Sequence, residues 1–566
     1  MAYDLKPIKA PRVAGSKLRM LTPVVEHPPL GPAITAKLLG DVGIKGLRKI
    51  RAEGSIPVGP QLLVGPGALP AEEKEAAALA EQALAATPQA AEGFAFATVA
   101  DFAKAYTAGE SNPVGVAERV LAFCKKTEEM DPPMRIFIAQ HEDDVMQMAK
   151  AAEERYRQAK PLGPLDGVPV AVKDELDQQA YPSTVGTSFL GGEPAAEDAT
   201  AVTRLRAAGA VLIGKANMHE IGLGVTGVNP HHGAARNPYD PARMTAGSSS
   251  GPAAAVACGM CPLALGADGG GSIRIPASFC GVVGLKPTFG RVSEHGAAPL
   301  CWSVAHVGPL AASVADCALA YALIAGPDPR DRNSLGRPVP HLNGFENRDL
   351  SDLRLGVYTP WFEDAEPDVV EACRAALAGL EKAGAEVVEI ELPELDILRT
   401  VHLVIIVSEM AAAHLGYYRE HRKHYAHDTR MNLSLARRLK ATDYVHAQRL
   451  RMRICEHFDR ALKDVDVIVT PASGCTAREI AADSLKTGES NLGLTGEIMR
   501  FAPAANLTGL PAISVPAGYD SAGMPVGLQV MGRAFEEHTL LRLAAVVEGV
   551  VERQRPQVYE DPLSAD

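Results

Sequence analysis

The sequence predicts an α/β protein, a large, mixed, mostly parallel twisted sheet with helices on both faces, preceded by a helical N-terminal extension. Three observations carry this expectation. Short apolar runs, "VPVAVKDEL", "AVLIGKAN" and "CPLALGAD", alternate with Ala-rich stretches such as "TAVTRLRAAG" and "PAAAVACG", the pattern of buried strands joined by helical crossovers. The alternation returns after residue 340, where "LRLGVYT" and "AEVVEIEL" flank "DVVEACRAALAGLEKAG". The chain of 566 residues, with 47% hydrophobic and 22% charged residues, 52 glycines and 42 prolines, has the composition of a turn-rich globular protein with room for one or two cores.

Taken in order, residues 1–95 stand apart in composition and form the extension, and residues 96–560 form the main domain. The extension has a Pro-punctuated start, then "ITAKLLGDVGIKGLRKIR", then an Ala/Glu-rich helix around 70–87. In its middle piece Leu39, Val42, Leu47 and Ile50 fall near one helical face, with Lys37, Lys45, Arg48, Lys49 and Arg51 around it. Such a segment packs on the main body or, on a second reading, covers an apolar entrance or seeks a surface. Residues 97–160 read as helices and end before the turn "PLGPLDG". The core strands follow. Residues 396–462 read as a helical insertion rich in His, Arg and Tyr, after which "VDVIVTPA" and "PAISVPAGYDSAGMPVGLQVMG" return to the sheet.

The net charge is −12 with Lys and Arg scattered, so no basic tract is dense enough to neutralise a row of phosphates, and nucleic acid is not an expected ligand. The start "MAYDLKPIKAPRVAG" lacks the apolar core of a secretion signal. Nowhere do about 18 uncharged apolar residues run together. The expectation is a cytoplasmic protein without a transmembrane span; peripheral membrane contact and a homodimer stay open. Nine cysteines, mostly amid apolar neighbours, suit buried free thiols in a reducing compartment. Cys258-Gly-Met-Cys261 has no second pair to complete four ligands, so neither metal nor cofactor is expected.

The chemistry centres on "ALGADGGGSIRIPASF", where Gly269-Gly270-Gly271-Ser272 close an apolar run. Three readings compete: a phosphate cradle, a plain turn, and a frame for Ser272 as nucleophile. The spacing fits neither GxGxxG nor GxxxxGK[ST], and no lysine follows to reach a phosphate. A plain turn remains open. Upstream lie a second small-residue cluster, "TAGSSSGPAAA", and Lys173 at the end of "VPVAVK".

Lys173, Ser248 and Ser272 in these settings resemble the amidase signature family of serine hydrolases. The likeness includes "LGADGGGSIRIPASFCGVVGLKPTFGRVS", "NPYDPARMTAGSSSG", "GKANMHE" and "ANLTGLPAISVPAGYDSAGMPVGLQVMG". It is closest to the plant-type fatty acid amide hydrolases, through "KAPRVAG", "LRLGVYTPWF" and "DVDVIVTPASGCTAREIAADSLKTGESN", and covers nearly the whole chain. The resemblance implies the amidase signature fold and an enzyme that cleaves N-acyl amides, such as fatty acid amides or aryl and primary amides, to acid plus amine. It also implies roles. Ser272 is the nucleophile that carries the acyl group, Ser248 a bridge following a cis peptide at Gly247-Ser248, and Lys173 the terminal base. That base must be neutral near pH 7, far below a free lysine's value of about 10.4, which burial around "VPVAV" favours. Asp174 and Glu175 oppose this unless turned away or paired elsewhere. The N–H groups of Gly269, Gly270, Gly271 and Ser272 are the expected oxyanion donors, with Ser249 as a supporting hydroxyl.

The chain departs from the family's Gly-Gly-Ser-Ser-Gly-Gly-Ser in having Ala246 for the first Gly and Pro252 for the last Ser. Pro252 suits a first helical turn. The resemblance leaves Arg274 either structural or meeting a carboxylate; the expectation is a structural role, capping neighbouring carbonyls. His219, His231 and His232 show no metal-ligand spacing and read as hydrogen-bonded structural groups. Two alternatives are a chain like the amidase component of glutamyl-tRNA amidotransferase, which works only with partners, and a non-catalytic binding protein of the same fold. The plant-like extension speaks against the first, and the presence of Lys173, Ser248 and Ser272 against the second.

Overall fold

A computed structural model describes residues 3–8, 10–27, 29–50, 73–85 and 93–564. Its main sheet has eleven strands, numbered here along the chain: β1 Phe137–Ala139, β2 Pro169–Lys173, β3 Val211–Ala216, β4 Leu263–Ala267, β5 Val283–Lys286, β6 Val307–Ala311, β7 Arg354–Val357, β8 Glu386–Glu389, β9 Val467–Pro471, β10 Ala512–Tyr519 and β11 Pro525–Gly532. Their spatial order is β8-β7-β9-β11-β10-β5-β6-β4-β2-β3-β1. The mixed sheet is as expected, but "mostly parallel" needs correction, since four neighbouring pairs are parallel and six antiparallel. Strand direction leaves no mark on an apolar run buried on both faces. The sequence reading also missed β1, β5 and β6. These strands have three, four and five residues, and "VGLK" and "VGPLA" carry glycine or proline.

Alternate strand residues enter two separate cores, as the two-residue period of a strand requires. In β9, Val467 and Val469 face one core and Ile468 the other; in β11, Val526, Leu528 and Val530 face the first and Met531 the second. The first core is covered by the helices Pro367–Lys382 and Glu537–Val550, the second by Leu395–Ala413 and Ala441–Asp464. Helices therefore lie on both faces. Ala441–Asp464 shows why such a charged segment folds there: Ala447, Leu450, Ile454, Phe458 and Ala461 recur at steps of three and four and are its buried side.

In the N-terminal region the apolar face expected over Leu39–Ile50 is split between the helices Leu30–Asp41 and Ile44–Leu47. Gly43 makes the break with a φ of 92°, a conformation that favours glycine. Val42, Ile44 and Leu47 are nevertheless buried in the second core. The Ala/Glu-rich segment is helical over Glu73–Ala85, and the rest of its expected span, like Arg51, lies outside the described residues. Strand pairing and ion pairs hold this region to the body. Val13–Ala14 pairs antiparallel with Glu489–Ser490, and Arg48 donates to Asp443 at 2.7 Å.

Candidate active site

The parallel neighbours β2 and β4, with Val172 opposite Leu265, open their C-terminal ends on the same sheet edge. Lys173 ends β2, and the glycine loop follows β4. All five residues of each strand are buried. Lys173 Nζ donates to Ser248 Oγ at 2.9 Å and to Ala267 O at 3.2 Å. The Gly247-Ser248 peptide is cis, as the resemblance implied. Ser249 is bound into the loop from behind, its N–H donating to Ser272 O at 3.2 Å and its hydroxyl to Ala267 O at 3.3 Å. It is fully buried away from the cavity described below.

The small residues of "AGSSSG" answer to space and conformation. Ala246 stands at a φ of 57°, the left-handed region where glycine is the easier choice, which accounts for the family's Gly there. A Cβ on Gly251 would come within 2.3 Å of Asn217 N and 2.4 Å of Ile136 O, so only glycine lets this helix sit on the neighbouring chain. Pro252 falls in the first turn of the helix Ser250–Ala257, as expected.

A buried Asp268 organises the loop. Its carboxylate accepts from the N–H of Gly271 at 2.7 Å and of Ile273 at 3.1 Å, from Arg274 Nε and Nη2 at 3.0 Å each, and from Asn506 Nδ2 at 2.9 Å. Burial pushes this carboxyl up, but the Arg274 charge and hydrogen bonds, with Asn506, hold it well below the ordinary carboxylate range. Arg274 also donates to Ala502 O at 3.0 Å and to Gln529 Oε1 at 2.5 Å, the carbonyl-capping role expected of it. The Gly271 amide needs correction as an oxyanion donor, because Asp268 takes it. Among the described residues the N–H groups of Gly269, Gly270 and Ser272 have no acceptor.

The second clamp on the loop is His402, on Leu395–Ala413, whose Nε2 donates to Gly269 O at 2.8 Å. Burial pushes its imidazole down to about 4, so it sits there neutral. A Cβ on Gly270 would lie 2.8 Å from His402 Cε1 and 2.9 Å from Met499 Cε, so this glycine is demanded by close approach. The sequence reading missed Asp268, His402, Asn506 and Gln529. His402 did leave a signal, a lone histidine in the apolar "RTVHLVIIV".

The acidic neighbours of Lys173 divide. Asp174 is turned away, as expected, accepting from Thr184 Oγ1 at 2.5 Å and Gly186 N at 2.9 Å. Glu175 is not: its Oε2 lies 2.6 Å from Lys173 Nζ, so the expectation that both carboxylates avoid the lysine is corrected. Sequence adjacency could not decide this, because the turn after β2 sets where each side chain points. His231 and His232 take structural partners: His231 Nε2 lies 2.8 Å from Glu220 Oε1 and His232 Nε2 donates to Thr187 O at 3.0 Å. His219 departs from the expectation, since its ring lies 3.6 Å from Asp428, its Nδ1 has no hydrogen-bond partner among the described residues, and it lines the same cavity as Ser272.

Ser272 is 8% exposed. Its Oγ has no hydrogen-bond partner among the described residues. It lines a cavity of about 200 Å³ with Gly270 and His402. The walls are largely apolar and drawn from several elements, with Leu38, Leu39, Val42 and Ile44 contributed by the N-terminal region and Leu403 and Ile406 by Leu395–Ala413. Among the described residues no helix is long and apolar enough to cross a membrane.

Comparison with known proteins identifies the family. Residues 118–541 match the Amidase family model. The chain is 40% identical over 594 residues to fatty acid amide hydrolase of Oryza sativa subsp. indica, covering 100% of this chain and 97% of the rice protein. It is 37% identical to a glutamyl-tRNA(Gln) amidotransferase component of Symbiobacterium thermophilum, over 81% of this chain and 97% of that one. Among solved structures, native peptide amidase from Stenotrophomonas maltophilia superposes with a TM-score of 0.70 at 30% identity, over 81% of this chain and 98% of that chain. With a family match over most of its length and full-length relatives, the chain belongs to the amidase signature family of amide-cleaving hydrolases.

Proposed function

We propose that this enzyme hydrolyses N-acyl amides with a long apolar acyl group through an acyl-enzyme on Ser272. One observation carries the reading: a serine hydroxyl without a protein partner faces an apolar cavity, beside a buried lysine–serine hydrogen bond of 2.9 Å. An amide resists attack and leaves poorly, so the reaction needs an activated nucleophile, a proton for the amine and stabilisation of the oxyanion. Lys173 takes the Ser248 proton as Ser248 takes that of Ser272, and Ser272 Oγ bonds to the carbonyl carbon. The oxyanion accepts from the free N–H groups of Gly269, Gly270 and Ser272; loss of one such donor typically costs about 10²- to 10³-fold in rate. The proton returns through Ser248 to the departing nitrogen, and water repeats the sequence on the ester.

The acyl preference is supported by the wall from Leu38, Leu39, Val42 and Ile44 and by the full-length rice relative, a fatty acid amide hydrolase. Of the extension, residues 1–95, the described stretch up to Ile50 then covers the acyl side through Leu38, Leu39, Val42 and Ile44, whereas Glu73–Ala85 packs on the first core through Ala80 and Ala83; residues 96–560 are the catalytic domain. Met20 and Leu30, 75% and 60% exposed on the same cover, support peripheral contact with a lipid surface, and nine free cysteines support a reducing, cytoplasmic setting. A component that acts only with partners would leave the cavity wall from residues 38–44 without a role.

The test is fluorophosphonate labelling of the purified chain with mass spectrometry, alongside turnover of amides from acetyl to oleoyl. Label on Ser272, its loss together with turnover in folded Ser272→Ala, and faster cleavage of long acyl groups are expected. Turnover by Ser272→Ala would sink the nucleophile assignment. No turnover without added partner chains would favour the amidotransferase reading.

A further inference from the structure

Glu175 has a place that the reaction as written does not use. Its Oε2 is nearer to Lys173 Nζ, at 2.6 Å, than is Ser248 Oγ at 2.9 Å. Both side chains are buried, Lys173 at 0% and Glu175 at 6% exposure. Among the described residues this carboxylate has no other hydrogen-bond or ion-pair partner. It also lines a second cavity, of about 210 Å³, that contains neither Ser272 nor Ser248. Lys173 thus links the serines to a carboxylate that opens elsewhere.

We propose, resting on Lys173 as the base of the reaction above, that Glu175 is its proton store, a positioning residue that lets the lysine become neutral without losing a proton to bulk water. In the resting pair one proton moves from Lys173 Nζ to Glu175 Oε2, leaving an amine beside a carboxylic acid. Lys173 then takes the Ser248 proton as Ser272 attacks, and gives it back through Ser248 when the C–N bond breaks. Glu175 keeps its own proton throughout, so every proton is accounted for and no further reactant enters. The physical reason is charge. A buried ion costs several kcal/mol unless paired, so a neutral lysine forms more readily by handing its proton to an adjacent carboxylate than by expelling it.

The other groups facing this pair do not duplicate the store. Glu294, Asp331, His295, Arg330 and Cys301 line the second cavity, and Glu409 is committed to Ser303 and Tyr444. Burial, then Asp331, Glu175 and Glu409, push the Glu294 carboxyl up, and burial pushes the Cys301 thiol up. Among the described residues neither makes a hydrogen bond or ion pair with Lys173.

The experiment is the pH profile of kcat/KM for the full chain, from about pH 5.5 to 9.5, in wild type, Glu175→Gln and Glu175→Asp, with folding checked by thermal melting. The acidic limb of Glu175→Gln is expected to move up by at least about one pH unit, a loss of roughly tenfold below the limb that recovers in alkali. Glu175→Asp, with its carboxylate drawn back, should fall between, and it carries the test alone if Glu175→Gln does not fold. An unshifted limb overturns the proposal. So does a downward shift, since a carboxylate that merely held the lysine charged would, once removed, ease its deprotonation. Lys173→Ala separates the two layers: full turnover near pH 7 in that folded variant removes the base reading itself, whereas a dead Lys173→Ala with an unshifted Glu175→Gln profile removes only the store.

Discussion

Asp268→Asn is the substitution whose cost the structure specifies best. The native carboxylate meets six N–H groups: Oδ1 takes Gly271 N, Arg274 Nη2 and Asn506 Nδ2, and Oδ2 takes Ile273 N, Arg274 N and Arg274 Nε. An amide keeps only one acceptor oxygen, so its NH2 faces at least two donors, and the Arg274 guanidinium is left buried without a counter-charge. Removing one partner of a buried pair costs about 3–5 kcal/mol. With the remaining oxygen on the Gly271 side, the anchor of the Ile273 N–H next to Ser272 is lost, which loosens the loop that carries the oxyanion donors and is expected to slow turnover by about 10²-fold. Urea unfolding reads the first effect, and the rate of fluorophosphonate labelling at Ser272 the second. In Asp268→Asn/Arg274→Met the buried cation is gone, so most of the stability should return while labelling stays slow. A single variant within about 1 kcal/mol of wild type and equally active would refute the reasoning.

Two further outcomes follow from the same geometry. His402 has its imidazole pushed by burial from 6.5 to about 4, so as pH falls through that window the unfolded chain binds a proton the folded chain refuses. Stability should fall by about 3 kcal/mol and level off below pH 4; urea unfolding should show that His402→Gln lacks this slope, and an equal slope in both proteins would exclude His402 as its source. Leu39→Glu puts a charge into the cavity wall; losing one leucine's worth of apolar contact, about 1.5–3 kcal/mol, should cut kcat/KM for oleoyl amides at least about tenfold while sparing acetyl amides. Equal losses on both would mean that the N-terminal region only stabilises the fold.

What could be read along the chain and what could not divide by physical range. Lys173, Ser248 and Ser272 were legible because each lies in a short segment whose neighbours constrain it: a strand end, a small-residue turn before a helix, and a glycine loop after a strand. The helical character of residues 97–160 and the strands β2, β3, β4 and β7 to β11 were legible because burial on a face imposes its period on the residues themselves. Strand direction was not, since an apolar run reads the same whether its neighbour is parallel or antiparallel. Nor could local sequence say that Asp268 would take the Gly271 amide, that His402 would reach Gly269 from a helix 133 residues away, or that Glu175 would turn toward Lys173 while Asp174 turned away. The sequence by itself determined the family, the fold class and the candidate residues for the reaction. Only the tertiary structure decided which amides are free, which carboxylate accompanies the lysine and which residues wall the cavity at Ser272, because direction, distance and burial arise where segments far apart in the chain meet.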